Sequence, residues 1–412
     1  MPASTASGYK TYDVIVLGAG YAGLMAALRL GRWRLGLRVA LVNAEEQFVE
    51  RVRLQESMVA SVKPRIASLS KYLSGMPIDF IRGRLISLDA DRRLVRVETD
   101  GSARELRFTQ AIYALGSRVD VDNVPGAAAH TFRLDPGEER QSAAALRTEL
   151  HNNAKRRIRV LAVGGGPLSI EAAGEVKTTW PRMDVSLVSA SRVGAFTSSK
   201  VEAVLRRDLS RLGVTLIDNE RVQEVRATEV VTSGGRSVPY DICIWAAGMR
   251  APSIARQSGL QIDAQDRILV GPDLRSISHP FILAAGDCGR PVVTTGAPYR
   301  PSALTAAVSG VYAAEQAVAY GAGKQLPPFT FSTFAQAIAV GRYAALFPLD
   351  EDDNPILFVM GGRTARRLRD ILVWLVLHFI TFERLFPGVQ SWPGRKRASK
   401  PQAIPFKVRH DP

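Results

Sequence analysis

Two stretches of this chain, "DVIVLGAGYAG" at residues 13–23 and "RVLAVGGGPLS" at 159–169, share one design. That duplication constrains the fold more than any other feature. Each copy opens with a short apolar run rich in β-branched residues, the pattern of a strand buried on both faces in a parallel sheet. Each then breaks at glycines: Gly18, Gly20 and Gly23 in the first copy, Gly164, Gly165 and Gly166 in the second. Each continues with helical apolar spacing, "LMAALRLGRW" or "LSIEAAGEVKTTW". A second apolar strand, "RVALVN" or "DVSLVS", then ends twenty-five positions after the first glycine, at Asn43 and at Ser189. One glycine turn is weak evidence. Two, in the same strand–turn–helix–strand context and register, are strong. The glycines have separate tasks: the first makes the tight turn, the second lets a pyrophosphate approach the backbone, and the third lets helix and strand pack closely. The helix N-terminus then offers unpaired N–H groups to the phosphates. In the second copy Ser169 replaces the third glycine, and it is small enough to keep the helix near the strand.

The repeat extends past the strands. Short alternating segments with turn residues follow each unit, "LISLDADRRLVRVETDGSARELRF" and "VQEVRATEVVTSGGRSVPY". Apolar strands ending in glycine come next, "AIYALG" at 111–116 and "ICIWAAG" at 242–248. A third such strand, "FILAAGDC" at 281–288, has no partner copy and reads as the last strand of the first domain, resumed after the second was inserted. The expected fold class is therefore α/β: two Rossmann-like, three-layer dinucleotide-binding domains, each with a β-meander, the second inserted in the first, plus a C-terminal helical extension. The boundaries fall at 1–130, 131–272, 273–322 and 323–412.

The bulk composition agrees. A chain of 412 residues suits two or three domains, and 46% hydrophobic with 23% charged residues is a globular balance. Cys243 and Cys288 form no C-x-x-C pair. His130, His151, His279, His378 and His410 lie at no metal-ligand spacing, so no metal is expected. The opening "MPASTASGYKTYD" lacks an apolar core and reads as a loose polar tail. No apolar run reaches 18 residues. Cytoplasmic location is the expectation, with a peripheral place on the cytoplasmic face of a membrane as its extension.

The order G-x-G-x-x-G, A-x-G-S, a second glycine motif with a glutamate, W-A-A-G and A-A-G-D resembles the two-dinucleotide flavoproteins of the pyridine nucleotide–disulfide oxidoreductase superfamily. Within it, "IWAAG" and "GRYAALF" look most like type II NADH dehydrogenases and the related apoptosis-inducing-factor-like NAD(P)H:quinone oxidoreductases. The resemblance spans roughly residues 12–350. It implies non-covalent FAD on the first domain and NADH or NADPH as substrate on the second. On the FAD side it points to Gly18, Gly20, Tyr21, Ala22, Gly23, Asn43, Arg51, Gly116, Gly286 and Asp287. On the nucleotide side it points to Gly164, Gly166, Pro167, Ser189, Arg192 and Gly248. Glu171 matches the glutamate of the second motif, near the junction of flavin and nicotinamide. Ser302 is a strong N-cap before "ALTAAVSGVYAAEQAVAY". In the family that helix aims its N-terminus at the flavin, which makes the Ala303 and Leu304 amides candidates for stabilising the charge of the reduced ring.

Three departures matter. The region "FVERVRLQESMVASVKP" holds no cysteine, which excludes disulfide exchange. Where type II dehydrogenases often carry A-Q-x-A-x-Q, this chain has "ALTAAV", with Leu304 and Val308 in place of the glutamines. An apolar slot there still suits a quinone ring. Finally, Ser189 stands where an acid would bind the adenosine ribose, with Arg192 three residues on. That removes a repulsion against a 2′-phosphate and leaves NADH and NADPH both open.

Net charge is +15. From residue 363 onward eleven Lys or Arg oppose three Asp or Glu, a net of +8 in the last fifty residues. They flank "ILVWLVLHFITF" in a predicted helix at 363–386 and include the run "GRKRASK". This helix suits the interface of an anionic membrane, with Trp374 and Trp392 as anchors. Packing against the body or against a homodimer mate is the competing assignment. No nucleic-acid motif accompanies the charge. The resulting expectation is an FAD-dependent NAD(P)H oxidoreductase with a quinone as acceptor. The alternatives are a soluble reductase of a ferredoxin or a small organic substrate, and an NAD(P)H-sensing flavoprotein whose C-terminal helix binds a partner.

Overall fold

The computed structural model describes residues 10–33, 35–58, 66–135, 141–294, 299–331, 333–350, 352–356, 358–386, 388 and 402–403. Residues 1–9 of the polar tail, Trp392 and the basic run at 394–400 lie outside the described residues.

Strand β1 (Lys10–Leu17) passes through helix α1 (Tyr21–Trp33) to β2 (Val39–Asn43), and β2 pairs with β3 (Ile78–Arg82), all parallel. The chain then forms an antiparallel meander of β4 (Arg84–Asp89), β5 (Leu94–Thr99) and β6 (Ser102–Tyr113). Strand β6 does two jobs. It pairs with β5 through Ser102–Arg107 and lies parallel to β1 along Leu106–Tyr113. The expected meander strand and return strand are thus one continuous strand. Its side chains are exposed from Ser102 to Glu105, alternate between buried and exposed from Leu106 to Gln110, and are continuously buried from there to Tyr113. That change marks the passage from a half-exposed sheet to one covered on both faces.

The second unit repeats the order: β7 (Arg159–Val163), α2 (Pro167–Thr179), β8 (Asp184–Val188), α3 (Ser199–Leu212) and β9 (Thr215–Ile217). Its meander, β10 (Val222–Val225), β11 (Glu229–Thr232) and β12 (Ser237–Pro239), is a separate sheet. Pro239 has no N–H to extend the ladder, so the chain breaks before β13 (Ile242–Trp245) returns beside β7. The parallel sheet runs Phe132–Arg133, β13, β7, β8, β9.

Strand β14 (Ile282–Ala284) rejoins the first sheet, parallel to β6 at Ala111–Tyr113. The second unit is therefore inserted between two neighbouring strands of the first. The two crossings, Arg118–Val119 and Met249–Arg250, pair antiparallel with each other. Arg250 fastens them, reaching Asp120 at 3.2 Å and Asp266 at 3.0 Å.

Helix α4 (Ala303–Gly321) lies on α1, and a hairpin of β15 (Ala335–Val340) and β16 (Tyr343–Pro348) leads to α5 (Gly362–Leu385). Two close approaches need glycine. A Cβ at Gly310 of α4 would overlap the Ala22 carbonyl of α1, and one at Gly174 of α2 would fall 2.6 Å from the Gly341 amide at the hairpin turn. Helix α5 buries Ala365, Arg369, Ile380 and Glu383 against the body. Its far end is held by Arg29 of α1, whose Nε reaches Glu383 at 2.5 Å and which also pairs with Glu315 of α4. The opposite face leaves Leu368, Ile371, Leu372, Trp374, Leu375, Phe382 and Leu385 exposed. The helix packs on the body through one face, as one expectation had it, and leaves an apolar face exposed.

Candidate functional site

The two glycine turns superimpose in their bonding. Gly18 N–H donates to Val42 O at 2.8 Å, and Gly164 N–H to Val188 O at 2.9 Å. Both glycines have positive φ, +96° and +134°. A Cβ would fall 2.6 Å from Ala114 O in the first turn and 2.8 Å from Ala246 O in the second. Only glycine fits either position. The turns part at the third place. A Cβ at Gly23 would overlap Gly18 O, whereas Ser169 is fully buried and donates its hydroxyl to Gly166 O at 2.8 Å. The second turn is the looser of the two.

Both turns leave a cradle. At Gly20, Gly116 and Gly166 no atom of the described residues beyond the chain neighbours lies within 4 Å of where a Cβ would stand. On the first domain this open space is bordered by groups suited to a dinucleotide. Tyr21 buries its hydroxyl beside the Val52 backbone, its ring edge-on to Phe48 at 5.1 Å. Asn43 caps the turn, accepting from Ala19 N–H at 2.9 Å and donating to Glu45 O at 2.8 Å. Asp287 accepts from the Ser117 hydroxyl at 2.8 Å; burial pushes its carboxyl above the usual range, opposed by that bond and by Arg51. Arg51 donates to Ser117 O at 2.8 Å and to Asp135 at 2.9 Å. Ser117 is the serine of the A-x-G-S motif, to which sequence reading assigned no role of its own.

The first turns of α4 reach the same region. Ser302 accepts from Thr305 N–H at 3.0 Å and caps the helix. Gly286 donates its N–H to Ser309 at 3.0 Å and to Tyr299 at 2.9 Å, which ties Asp287 to α4. Ala303 and Leu304 are half-buried beside the cap, and Val308 is buried.

Glu171 lies elsewhere, in a junction of three parts of the chain. Its carboxylate accepts from Gln55 Nε2 at 2.7 Å, in the short helix Leu54–Ser57, and from the Ala339 amide of β15 at 2.9 Å. Arg369 of α5 approaches at 3.4 Å. Burial raises the Glu171 carboxyl, and Arg369 and the Ala339 amide oppose the rise. Around it Arg369 also pairs with Glu56. Arg366 reaches Glu175 at 2.5 Å and Glu56 at 3.3 Å, and bonds Gly341 O. Glu56 is fully buried. This network escaped sequence reading because its three contributing segments lie 115 or more positions apart, and because a charged helix reads as a solvated one. The local signals are that Glu171 and Glu175, four apart, and Arg366 and Arg369, three apart, each share a helix face.

On the second domain Pro167 opens α2, and Gly248, at φ +76°, packs its Cα toward Asp120. Ser189 is buried at the end of β8, while Arg192 is exposed and pairs with Glu202 at 2.8 Å.

A family model described as pyridine nucleotide-disulphide oxidoreductase matches residues 12–311. The chain is 22% identical over 383 residues to a type II NADH:quinone oxidoreductase of Haemophilus influenzae, covering 81% of this chain and 86% of that one. It is 26% identical over 302 residues to ferroptosis suppressor protein 1 of Xenopus tropicalis, covering 69% and 76%. Among solved structures, the sulfide:quinone oxidoreductase of Aquifex aeolicus superimposes with a TM-score of 0.77 at 15% identity, covering 92% and 93% of the two chains. NDH2 of Plasmodium falciparum in complex with NADH does so with 0.72 at 13% identity, covering 92% and 99%. The two structural likenesses carry the fold.

Proposed function

The chain belongs to the pyridine nucleotide-disulphide oxidoreductase family, as an NAD(P)H oxidoreductase with FAD as its cofactor, and from that premise we propose that it passes electrons to a quinone drawn from an anionic membrane surface. The observation that carries the proposal is the exposed apolar face of α5. It begins at Arg363 and Arg367 and continues through Ile371, Trp374 and Leu375. Cations set beside apolar side chains on one helix face suit lipid headgroups above acyl chains. No helix among the described residues is long and apolar enough to cross a membrane.

FAD, when bound, supplies two-electron acceptance from the nicotinamide and donation to the acceptor. The chain supplies the rest. Gly18, Gly20 and the α1 N-terminus receive the pyrophosphate, and Ser117 and Asp287 take sugar hydroxyls. The capped N-terminus of α4 places the Ala303 and Leu304 amides where negative charge develops. Leu304 and Val308 offer an apolar approach to a ring without a polar grip on its carbonyls. Gly164, Gly166 and the α2 N-terminus receive the nicotinamide nucleotide. Glu171, with its partners committed, acts in this proposal as a fixed anion at the domain junction.

The test is direct. Anaerobic NAD(P)H should bleach the flavin absorbance of the purified protein. A short-chain quinone should restore it faster than oxygen does. Restoration no faster than by oxygen sinks the quinone assignment and favours a protein or small organic acceptor.

For the membrane surface, Ile371→Glu with Trp374→Glu is expected to abolish co-sedimentation with vesicles rich in anionic lipid. The thermal midpoint should stay within about 2 °C, because both side chains are exposed. Undiminished sedimentation of this variant counts against α5 as the docking surface. Point changes are preferable to deleting the helix, since deletion would also strip Arg366 and Arg369 from three buried carboxylates.

A further inference from the structure

The second glycine turn receives NADH or NADPH in the function proposed above, and the following inference rests on that reading. The two nucleotides differ only at the adenosine 2′ position, which lies by the end of β8. There Ser189 is 3% exposed, accepts the Ser191 amide at 3.3 Å, and packs so close to Gly165 that a Cβ at 165 would overlap its hydroxyl. It is a neutral group fixed in place. It neither repels a phosphate nor attracts one.

The discriminating charges stand three residues further on. The Arg192 side chain is 59% exposed, but its guanidinium is engaged: Nε and a terminal nitrogen both reach one oxygen of Glu202, at 2.9 and 2.8 Å. Glu202 is the more buried partner, with its side chain 15% exposed. It belongs to the first turn of α3, a favourable place for an anion, and Gly194 packs against its Cγ. A second pair lies alongside. Arg206 holds Asp218 at 2.7 and 2.9 Å, and Asp218 also accepts the Val193 amide at 2.8 Å. These two cations and two acids cancel. Lys200, also in the first turn of α3, is exposed and well screened.

We propose that Glu202 sets this chain to prefer NADH, doing from α3 what an acid at the end of β8 would do. A 2′-phosphate carries a charge of about −1.5 to −2. To use Arg192 it must share one guanidinium with a carboxylate, which places two anions side by side. Otherwise it must expel Glu202 and leave a largely buried carboxylate without its partner. Both routes are unfavourable. The 2′-hydroxyl of NADH meets neither obstacle. Specificity here is carried by a second-rank residue that restrains the arginine, so the sign of the arginine alone misleads.

The experiment compares 2′,5′-ADP with ADP by calorimetry on the intact flavoprotein, and kcat/KM for NADPH with that for NADH. Wild type should favour the ligands without the 2′-phosphate. Glu202→Gln keeps the shape of the side chain and frees Arg192. It should improve 2′,5′-ADP binding and the NADPH to NADH ratio about tenfold or more, which corresponds to about 1.4 kcal/mol. Adding Arg192→Gln to that variant should cancel the gain. An unchanged ratio in Glu202→Gln, or a wild type that prefers 2′,5′-ADP, overturns the assignment while leaving the nucleotide site standing. Failure of wild type to bind either ligand overturns the nucleotide reading, and this assignment with it.

Discussion

Gly310→Ala is expected to yield a protein that loses both its flavin and much of its stability. Helices α1 and α4 cross with their backbones nearly touching, and a methyl group at 310 would overlap the Ala22 carbonyl oxygen. That oxygen belongs to the first turn of α1, the turn proposed above to receive the pyrophosphate. The alanine cannot be absorbed by a side-chain rotation because the obstacle is backbone. The helices must separate, at a cost of about 1–3 kcal/mol or more. Separation also draws α4 away from Gly286, whose N–H bonds Ser309. The ratio of flavin to protein absorbance and the thermal midpoint should both fall. Gly20→Ala supplies the contrast. No atom of the described residues beyond the chain neighbours lies within 4 Å of its Cβ, so the FAD-free protein should melt as wild type does. FAD affinity should nevertheless drop about tenfold or more, because the methyl group enters the space reserved for phosphate. If Gly310→Ala keeps full flavin, or if Gly20→Ala melts early without FAD, the division between packing glycine and cradle glycine is wrong.

The contrast also shows what a sequence can reveal. Gly20 announces itself, because it sits in a motif whose strand, turn and helix can all be read from local pattern. The duplication and the cap at Ser302 were legible for the same reason, since each copy and the cap are local patterns of about thirty residues or fewer, and the insertion followed from the order of those patterns along the chain. Gly310 was not legible. It is one small residue in the alanine-rich stretch "AAVSGVYAAEQ", and only the crossing with α1, nearly 290 positions earlier, gives it meaning. The separate strands expected around Arg104–Gly116 failed for a milder reason. A change from alternating to continuous burial along one strand looks like a boundary. Arg192 was read without its partner, since Glu202 lies ten residues on, across a loop into another helix.

The strongest non-local feature is the buried charge cluster, and Arg369→Met is expected to expose its worth. Arg369 is 2% exposed and touches Glu56 and Glu171, while Glu175 is held by the neighbouring Arg366. Methionine fills similar volume but leaves Glu171 without its cation, while Glu56 keeps Arg53 and Arg366. Breaking a buried pair from one side typically costs about 3–5 kcal/mol. The pH dependence carries a sign. Burial already raises the Glu171 and Glu175 carboxyls above the usual carboxylate range. A raised carboxyl binds its proton more tightly in the folded state. Its contribution to stability is therefore fully present below the unfolded pKa and is lost as pH rises through the folded one. Arg369 limits that rise at Glu171, so its removal shifts the upper edge of the window further upward. The deficit of Arg369→Met relative to wild type should thus be larger at about pH 8.5 than at about pH 5.5, where the carboxyls take protons instead. Adding Glu171→Gln removes one stranded charge and should recover part of the thermal midpoint at the higher pH. A deficit independent of pH, with no recovery in the double variant, would mean that Arg369 acts through its packing alone. In the proposed charge role, α5 is joined to the nucleotide helix by electrostatics. The helix whose outer apolar face is exposed then fixes, through its inner face, the junction where the two dinucleotide domains meet.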